Sequence, residues 1–308
     1  NIIKNVKSVT VPNSGNMKGI PAAAAIGIIG GNPDKGLEVL ADITEADIAR
    51  TKEFLEKIPC KVSLLDTVAS LHFIVEVFAG ADSASVEIIH QHTNIVRTTK
   101  NGKDVLSVPF DPASANAALT DRSGLSVKKI LEFADTIDLN RVRPILERQI
   151  DYNTRIAQEG LEHRYGINAG ANLLKAAEAE QAVTVKIRAQ AAAAAGSDAR
   201  MSGCTLPVVT NSGSGNQGLT ASLPVIVFAE EKKLPHDQLL RGLLVSNLIA
   251  IHQKTRIGRL SAYCGAVSAG CGSGAAITYL SGGSYEQVCE TITNTLAVVS
   301  GIVCDGAK

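Results

Sequence analysis

Side chains able to do chemistry are concentrated in residues 197–218, which read SDARMSGCTLPVVTNSGSGNQG. An alanine run precedes this stretch, and an apolar segment, residues 223–228, follows it. A polar turn rich in glycine lets backbone N–H groups converge on an anion, because glycine adopts dihedral angles that other residues avoid. The stretch therefore predicts an anion-binding turn, with an ordinary surface loop as the alternative. Its candidate catalytic and binding residues are Asp198, Arg200, Ser212, Ser214, Asn216 and Gln217.

The six cysteines, at positions 60, 204, 264, 271, 289 and 304, include no CxxC pair, so the usual zinc signatures are absent. Cys264 lies at the head of a segment rich in small residues, and Cys304 follows an apolar segment and precedes Asp-Gly. Thiolates at separated helix ends, with little aromatic bulk around them, are compatible with an iron–sulfur cluster. Spacing alone favours ordinary buried thiols, so both interpretations stay open at this point.

Two histidines, His90 and His92, follow an apolar run and are separated by one residue. Residues i and i+2 of a strand point to the same face, so we expect both imidazoles on one face of a β-strand. A two-histidine metal site would lack a third ligand nearby. A substrate contact or an acid/base role for His92 is therefore the favoured interpretation, and Lys254 is a weaker candidate for a catalytic base.

Composition excludes several classes of function. The 308 residues are 45% hydrophobic, and 30 basic residues balance 30 acidic ones. A neutral chain without a basic stripe argues against nucleic acid and against a membrane surface as partners. Since no apolar run is long enough to span a bilayer and no signal peptide is visible, we expect a cytoplasmic protein that binds a small molecule. The start at Asn1 and the end at Lys308 lead us to expect missing residues at both termini.

The periodicity of apolar residues predicts an α+β fold. Three alternating runs, residues 61–65, 71–78 and 83–89, predict an antiparallel sheet, and Asn101-Gly102 predicts a hairpin turn. Residues 183–195 are compatible with either a strand or a helix. The predicted helices cover residues 19–29, 45–57, 126–136, 139–158, 170–180, 237–252, 258–280 and 285–303.

These elements predict two lobes. Residues 1–115 contain the alternating runs and are expected to form a small α+β lobe with the antiparallel sheet. Residues 116–308 are expected to form a mainly helical lobe of helices rich in small residues, which allow close approach between backbones.

Several motifs together resemble the L-cysteine desulfidase family, which is related to the α region of the iron–sulfur L-serine dehydratases. The motifs that carry chemistry are SDARMSGCTLP (197–207), NSGSGNQG (211–218), RLSAYC (259–264) and CDGA (304–307). Five further segments match the family's sequences in the same order: VTVPNSG, GIPAAAAIG, GLEVL, HTNIV and QEGL. The resemblance therefore covers nearly the whole chain.

The resemblance implies breakdown of L-cysteine to pyruvate, ammonia and sulfide, with a [4Fe–4S] cluster held by three cysteines. Two of these ligands match Cys264 and Cys304. The third belongs to a Gly-Cys-Thr-Glu-Pro motif that is absent from this sequence, so the chain by itself cannot hold the full site. The other four cysteines match no ligand of the family, and we expect them to be core thiols.

The resemblance further implies that residues 197–218 form the amino-acid pocket. In that scheme Asp198 meets the substrate ammonium, and Arg200 pairs with Asp198 or with the substrate carboxylate. An Asp198–Arg200 ion pair that only fixes the loop is an equal alternative. The groups expected to bind the carboxylate are Ser212, Ser214, Asn216 and nearby backbone amides.

Three other functions stay open. An iron–sulfur L-serine dehydratase has the same chemistry with hydroxide as the leaving group, but in those enzymes the comparable turn carries a cluster cysteine. This chain has Ser214 and Asn216 there, which favours the desulfidase. A pyridoxal-phosphate lyase needs a Schiff-base lysine in a recognisable setting, and none of the lysines has one. A non-catalytic amino-acid-binding relative is the third, and a homodimer is left open.

Overall fold

The computed structural model describes residues 10–113, 121–257, 263–299 and 302, which divide into two compact units. The first unit ends at residue 120 and the second begins at Asp121. The described helices are α1 (Gly19–Gly30), α2 (Glu45–Lys57), α3 (Val127–Thr136), α4 (Arg143–Glu162), α5 (Ala169–Ala179), α6 (Val185–Met201), α7 (Gly215–Glu231), α8 (His236–Ile257), α9 (Gly265–Leu280) and α10 (Tyr285–Val298). The described strands are β1 (His72–Ala79), β2 (Asp82–Ile89), β3 (Ile95–Lys100) and β4 (Lys103–Ser107). The predicted α+β class is confirmed.

In the first unit, helices α1 and α2 pack around a small apolar core. Helix α2 covers the predicted range and begins with a capping box: the Thr44 side chain accepts from the Asp47 N–H, and the Asp47 carboxylate accepts from the Thr44 N–H. Ile48, on the buried side of α2, packs against Val11 and Ile26.

The four strands form an antiparallel sheet in the order β1-β2-β3-β4. The predicted hairpin at Asn101-Gly102 is confirmed, with both residues at positive φ (49° and 74°), as a two-residue turn between twisted strands requires. The predicted strand over residues 61–65 is wrong. Residues 61–65 pair with none of the described strands, and Leu64 is 87% exposed, so no buried apolar face fixes this segment on the sheet.

The second unit is built from helices α3 to α10, and its core lies where α7, α8 and α9 pack together. Small residues allow the close approach. A Cβ at Gly160 of α4 would lie 2.1 Å from the Ala195 carbonyl oxygen of α6, and a Cβ at Gly170 of α5 would lie 2.3 Å from the Ala191 carbonyl oxygen. Among the described helices, none combines the length and apolarity needed to cross a bilayer.

The stretch 197–218 is divided between three structures rather than forming one turn. Its first five residues complete α6. Thr184 caps this helix by accepting the Ile187 N–H. Of the two alternatives for residues 183–195, the structure therefore has the helix, which begins at Val185. The last four residues of the stretch begin α7. The alanine run continues in helical conformation through Met201 because no proline interrupts it and the single Gly196 costs only about 1 kcal/mol of helix propensity. Only residues 202–214 form the connection.

Candidate functional site

A tight turn leads into helix α7. The backbones of Asn211 and Ser214 exchange two hydrogen bonds of 3.1 and 3.0 Å, and the central residues Ser212 and Gly213 have φ of 49° and 79°. Two successive positive φ values define a type I′ turn. Ser214 then caps α7, its hydroxyl accepting the Gln217 N–H at 3.5 Å. The first turn of a helix leaves N–H groups without intrahelical partners, so the turn presents donors suited to an anion.

The Arg200 guanidinium lies against this first turn of α7. Its Nη1 donates to Asn216 Oδ1 at 3.0 Å, and a Cβ on Gly215 would lie 2.1 Å from its Nε, so only glycine admits the guanidinium there. Burial lowers the pKa of Arg200, although an arginine stays protonated at neutral pH. Among the described residues no carboxylate lies within 4.0 Å of the guanidinium. A desolvated cation that has no anionic partner among the described residues, and that lies beside a helix N-terminus, is suited to bind a carboxylate.

The Asp198 carboxylate is engaged elsewhere. Its Oδ2 accepts the Ala169 N–H at 2.5 Å and so caps helix α5, whose own N-cap residue Asn168 makes no side-chain cap. The alternative of an Asp198–Arg200 ion pair is wrong in the described structure. Residues i and i+2 of a helix point in different directions, so Asp198 faces α5 while Arg200 faces α7. The ammonium-binding role of Asp198 stays a prediction.

Gln217 connects the start of α7 with the start of α9. Its side chain lies against Gly265, where a Cβ would be 2.2 Å from Gln217 Nε2. The residue is 5% exposed, and within the part of the chain that the structure describes its Oε1 has no hydrogen-bond partner. An unsatisfied buried acceptor costs about 1–3 kcal/mol, so this oxygen is a feature that the fold does not explain.

Cys264 is the N-cap residue of α9, next to Gly265. Its side chain makes no cap hydrogen bond, and its thiol is free and partly buried. The Cys264 N–H donates to the Ile302 carbonyl oxygen at 3.2 Å. Ile302 precedes Cys304 by two residues in the sequence, whereas Cys304 itself lies outside the described residues.

These observations test how well the chain fits a metal cluster. Cys264 fits as one thiolate ligand, since its sulfur has no competing cap hydrogen bond and its backbone is bonded to the segment that leads to Cys304. Within the described ranges, no group of three His, Cys, Asp or Glu side chains could hold a metal ion. The described residues therefore supply a single ligand of the cluster that the resemblance implies.

A buried network of side-chain amides, which the sequence analysis did not predict, anchors the loop before α7. The fully buried Asn153 accepts the Val209 N–H at 2.9 Å and donates to Ser222 Oγ at 2.9 Å. Asn211 donates to Asn247 Oδ1 at 2.9 Å, and the Asn247 amide donates to Gln149 Oε1 at 2.8 Å. The sequence signal was present: Gln149 and Asn153 occupy i and i+4 among the apolar positions of α4.

The candidate bases lie in different units. His92 belongs to the first unit and is exposed in the turn between β2 and β3, so the prediction of two imidazoles on one strand face is wrong. Strand β2 ends at Ile89, whose carbonyl oxygen accepts the Gln91 N–H and the Asn94 side-chain amide, and His90 has φ of 64°. In the second unit Lys254 is buried on α8, 3% exposed.

The remaining cysteines differ from one another. Cys271 is a core thiol, as predicted, and burial raises its pKa to about 11. Cys204 and Cys289 are partly buried. Cys60 is exposed, so its assignment to the core is wrong: it follows Pro59 after the end of α2, where the chain has left the packed helix pair.

A cleft of about 590 Å³ between α9 and α10 contains none of the predicted residues. It is lined by residues such as Thr278, Gln287 and Thr291, at the C-terminal end of α9. Cys264 lies at the other end of this helix, about 24 Å away at 1.5 Å per residue. Arg200, Gln217 and Cys264 lie elsewhere, at the adjoining N-termini of α7 and α9.

Comparisons with known proteins identify the class of this fold and site. Residues 34–308 match the family model described as serine dehydratase alpha chain. The chain therefore belongs to the serine dehydratase alpha chain family, which confirms the resemblance at that level. No solved structure matches it.

Its relatives include several that carry the name UPF0597 protein. One from Treponema denticola is 57% identical over 309 residues, which cover 100% of this chain and 72% of the relative. One from Lachnoclostridium phytofermentans is 54% identical over 308 residues, with the same coverage of 100% and 72%. UPF0597 protein VP2173 from Vibrio parahaemolyticus is 38% identical over 311 residues, again with 100% and 72% coverage.

Proposed function

We propose that this protein is a carbon–sulfur lyase that breaks down L-cysteine to pyruvate, ammonia and sulfide. The observation that carries the proposal is the half-buried Arg200 guanidinium, which has no carboxylate partner among the described residues and lies on the first turn of α7. The same turn contacts the head of α9 through Gln217, next to Cys264. A carboxylate-binding group and a candidate metal ligand therefore adjoin each other.

The carboxylate of the amino acid would bind to Arg200, Asn216 and the uncapped N–H groups of α7. Loss of the α-proton moves negative charge onto this carboxylate, because the carbanion is conjugated with it. A fixed guanidinium and helix N–H groups stabilise that charge without reorganising, which lowers the barrier to proton removal. Lys254, buried on α8 of the same unit, is our candidate for the base that takes the α-proton, and the role of His92 stays a prediction.

Cys264 and Cys304 would hold the cluster, with the third ligand supplied from outside this sequence. When bound, the cluster supplies a Lewis acid for the carboxylate and the departing sulfur. The carbon–sulfur bond breaks with its electron pair leaving on sulfur, which takes up a proton and departs as sulfide. The aminoacrylate that remains is hydrolysed by water to pyruvate and ammonia, which balances the reaction.

The test is an anaerobic assay of the purified full-length protein with L-cysteine and L-serine. We expect sulfide and pyruvate in equal amounts from L-cysteine, together with iron and acid-labile sulfide in the protein. Cys264→Ala should abolish both the iron and the activity, whereas Cys289→Ala, which changes a partly buried thiol on α10, should retain them. Full iron content in Cys264→Ala, or iron-containing wild-type protein that is inactive on both amino acids, would reject the proposal.

L-serine dehydration is the second candidate, favoured by the description of the matching family model as serine dehydratase alpha chain. The same carboxylate site would serve L-serine, with hydroxide leaving in place of sulfide. Faster pyruvate release from L-serine than from L-cysteine, at equal concentrations of the two, would select this candidate.

A further inference from the structure

We propose that Gln217 is the acceptor for the substrate's α-ammonium group and restricts the site to α-amino acids; this inference rests on the proposed amino-acid site. Its Oε1 is a buried acceptor without a donor among the described residues. Three other buried amides of the same region, Gln149, Asn153 and Asn211, all have partners. Buried polar groups are normally satisfied, so an unpaired one beside a binding site indicates the place of a ligand's donor.

The position of Gln217 fits the geometry of an α-amino acid. The ammonium and the carboxylate of the substrate are attached to the same carbon, so their receptors must be neighbours. Gln217 follows Asn216, which is bonded to the carboxylate-binding Arg200, and it extends toward Gly265 at the head of α9. Asp198, the residue assigned to the ammonium from the sequence, uses one carboxylate oxygen to cap α5.

The chemistry of the unpaired atom selects the group that it binds. An amide oxygen only accepts hydrogen bonds, and among the groups of L-cysteine the carboxylate only accepts them and the thiol is a weak donor. The ammonium carries three strong donors. A keto acid of the same size has no donor at this position and would leave Gln217 Oε1 unsatisfied, which is the basis for strong discrimination, whereas a hydroxy acid offers one neutral donor in place of the cation.

Equilibrium binding of a pair of unreactive ligands tests the inference. L-alanine and propionate share the carboxylate and the carbon chain, and only L-alanine has the ammonium. We expect wild-type protein to bind L-alanine at least tenfold more tightly than propionate by anaerobic calorimetry. Gln217→Leu should remove this preference by weakening L-alanine binding alone, whereas Arg200→Gln should weaken binding of both ligands. A preference that survives in Gln217→Leu would overturn the inference.

A second variant tests the inference independently, in case Gln217→Leu does not fold. The Cβ in Gly265→Ala would displace the end of the flexible Gln217 side chain, while the Cβ in Gly270→Ala, on the same helix, meets only Thr220 Cγ2 at 3.9 Å. We expect Gly265→Ala to lose the preference for L-alanine and Gly270→Ala to retain it, and equal preferences in the two variants would overturn the inference.

The two proposals have distinguishable failures. Wild-type protein that prefers L-alanine but releases no sulfide or pyruvate would reject the proposed lyase and leave the role of Gln217 standing. Wild-type protein that binds both ligands equally would reject the role of Gln217. The proposed lyase would still be tested separately, by the release of sulfide and pyruvate.

Discussion

At the scale of single residues, two side chains that the sequence places close together have separate tasks. Asp198 and Arg200 are two positions apart, and their opposite charges suggested an ion pair. In the folded helix Asp198 caps α5, and Arg200 is left without a carboxylate among the described residues. Burying the Arg200 guanidinium without a counter-charge costs free energy, and such a group is typical of a site where a ligand supplies the missing negative charge.

Arg200→Gln should lower kcat/KM for the amino-acid substrate by about 10- to 100-fold, because a charge-assisted hydrogen bond contributes about 1.5–3 kcal/mol. The Tm should not fall, since the variant removes a desolvated charge. Arg188→Gln is the matched control on α6: Arg188 is exposed and lies 3.9 Å from Glu231, so its loss should change neither quantity measurably. Equal kinetic effects of the two substitutions would contradict the assignment.

At the scale of elements, glycines determine which helix faces meet. Periodicity places α4, α5 and α6 along the chain, but it does not show which faces pack together. Gly160 and Gly170 place the carbonyl oxygens of α6 within 2.1 and 2.3 Å of where a Cβ would stand. The alanine run of α6 is therefore explained by contact between backbones, which any larger side chain would prevent.

Gly160→Ala should destabilise the protein by about 1–3 kcal/mol despite the better helix propensity of alanine, because the added methyl group meets the Ala195 backbone rather than a movable side chain. Gly270→Ala, whose methyl group has room, should be neutral or should stabilise by up to about 1 kcal/mol. The measurement is the free energy of unfolding in urea. Loss of less than about 0.5 kcal/mol in Gly160→Ala would show that helices α4 and α6 can separate freely.

At the scale of the whole molecule, the largest apolar cluster among the described residues of the second unit contains an ionisable group. This core includes Ile130 of α3, Leu243 of α8 and Val288 of α10. Cys271 of α9 is fully buried within it, and burial raises the pKa of its thiol from 9.0 to about 11. The folded protein therefore keeps this proton at pH values where the unfolded chain releases it.

The stability provided by the buried neutral thiol should be fully present below pH 9 and should decline between pH 9 and 11 by about 1.4 kcal/mol per pH unit. Other groups titrate in the same window, so the quantity to measure is the difference in free energy of unfolding between wild type and Cys271→Ala. That difference should shrink as the pH rises. A constant difference for Cys271→Ala would contradict the burial of the thiol.

The sequence by itself determined the local structure and the family. Caps, periodicity and turn residues predicted most of the helices and the hairpin at Asn101-Gly102, because these signals act between residues close in the chain. They left α6 open between strand and helix and did not predict α7. Only the tertiary structure decided that residues 61–65 find no strand partner, that Asp198 bonds to α5, and that Gln217 meets Gly265 with its oxygen unpaired. Each of these depends on which distant backbone approaches a given side chain, and short-range patterns carry no information about that approach.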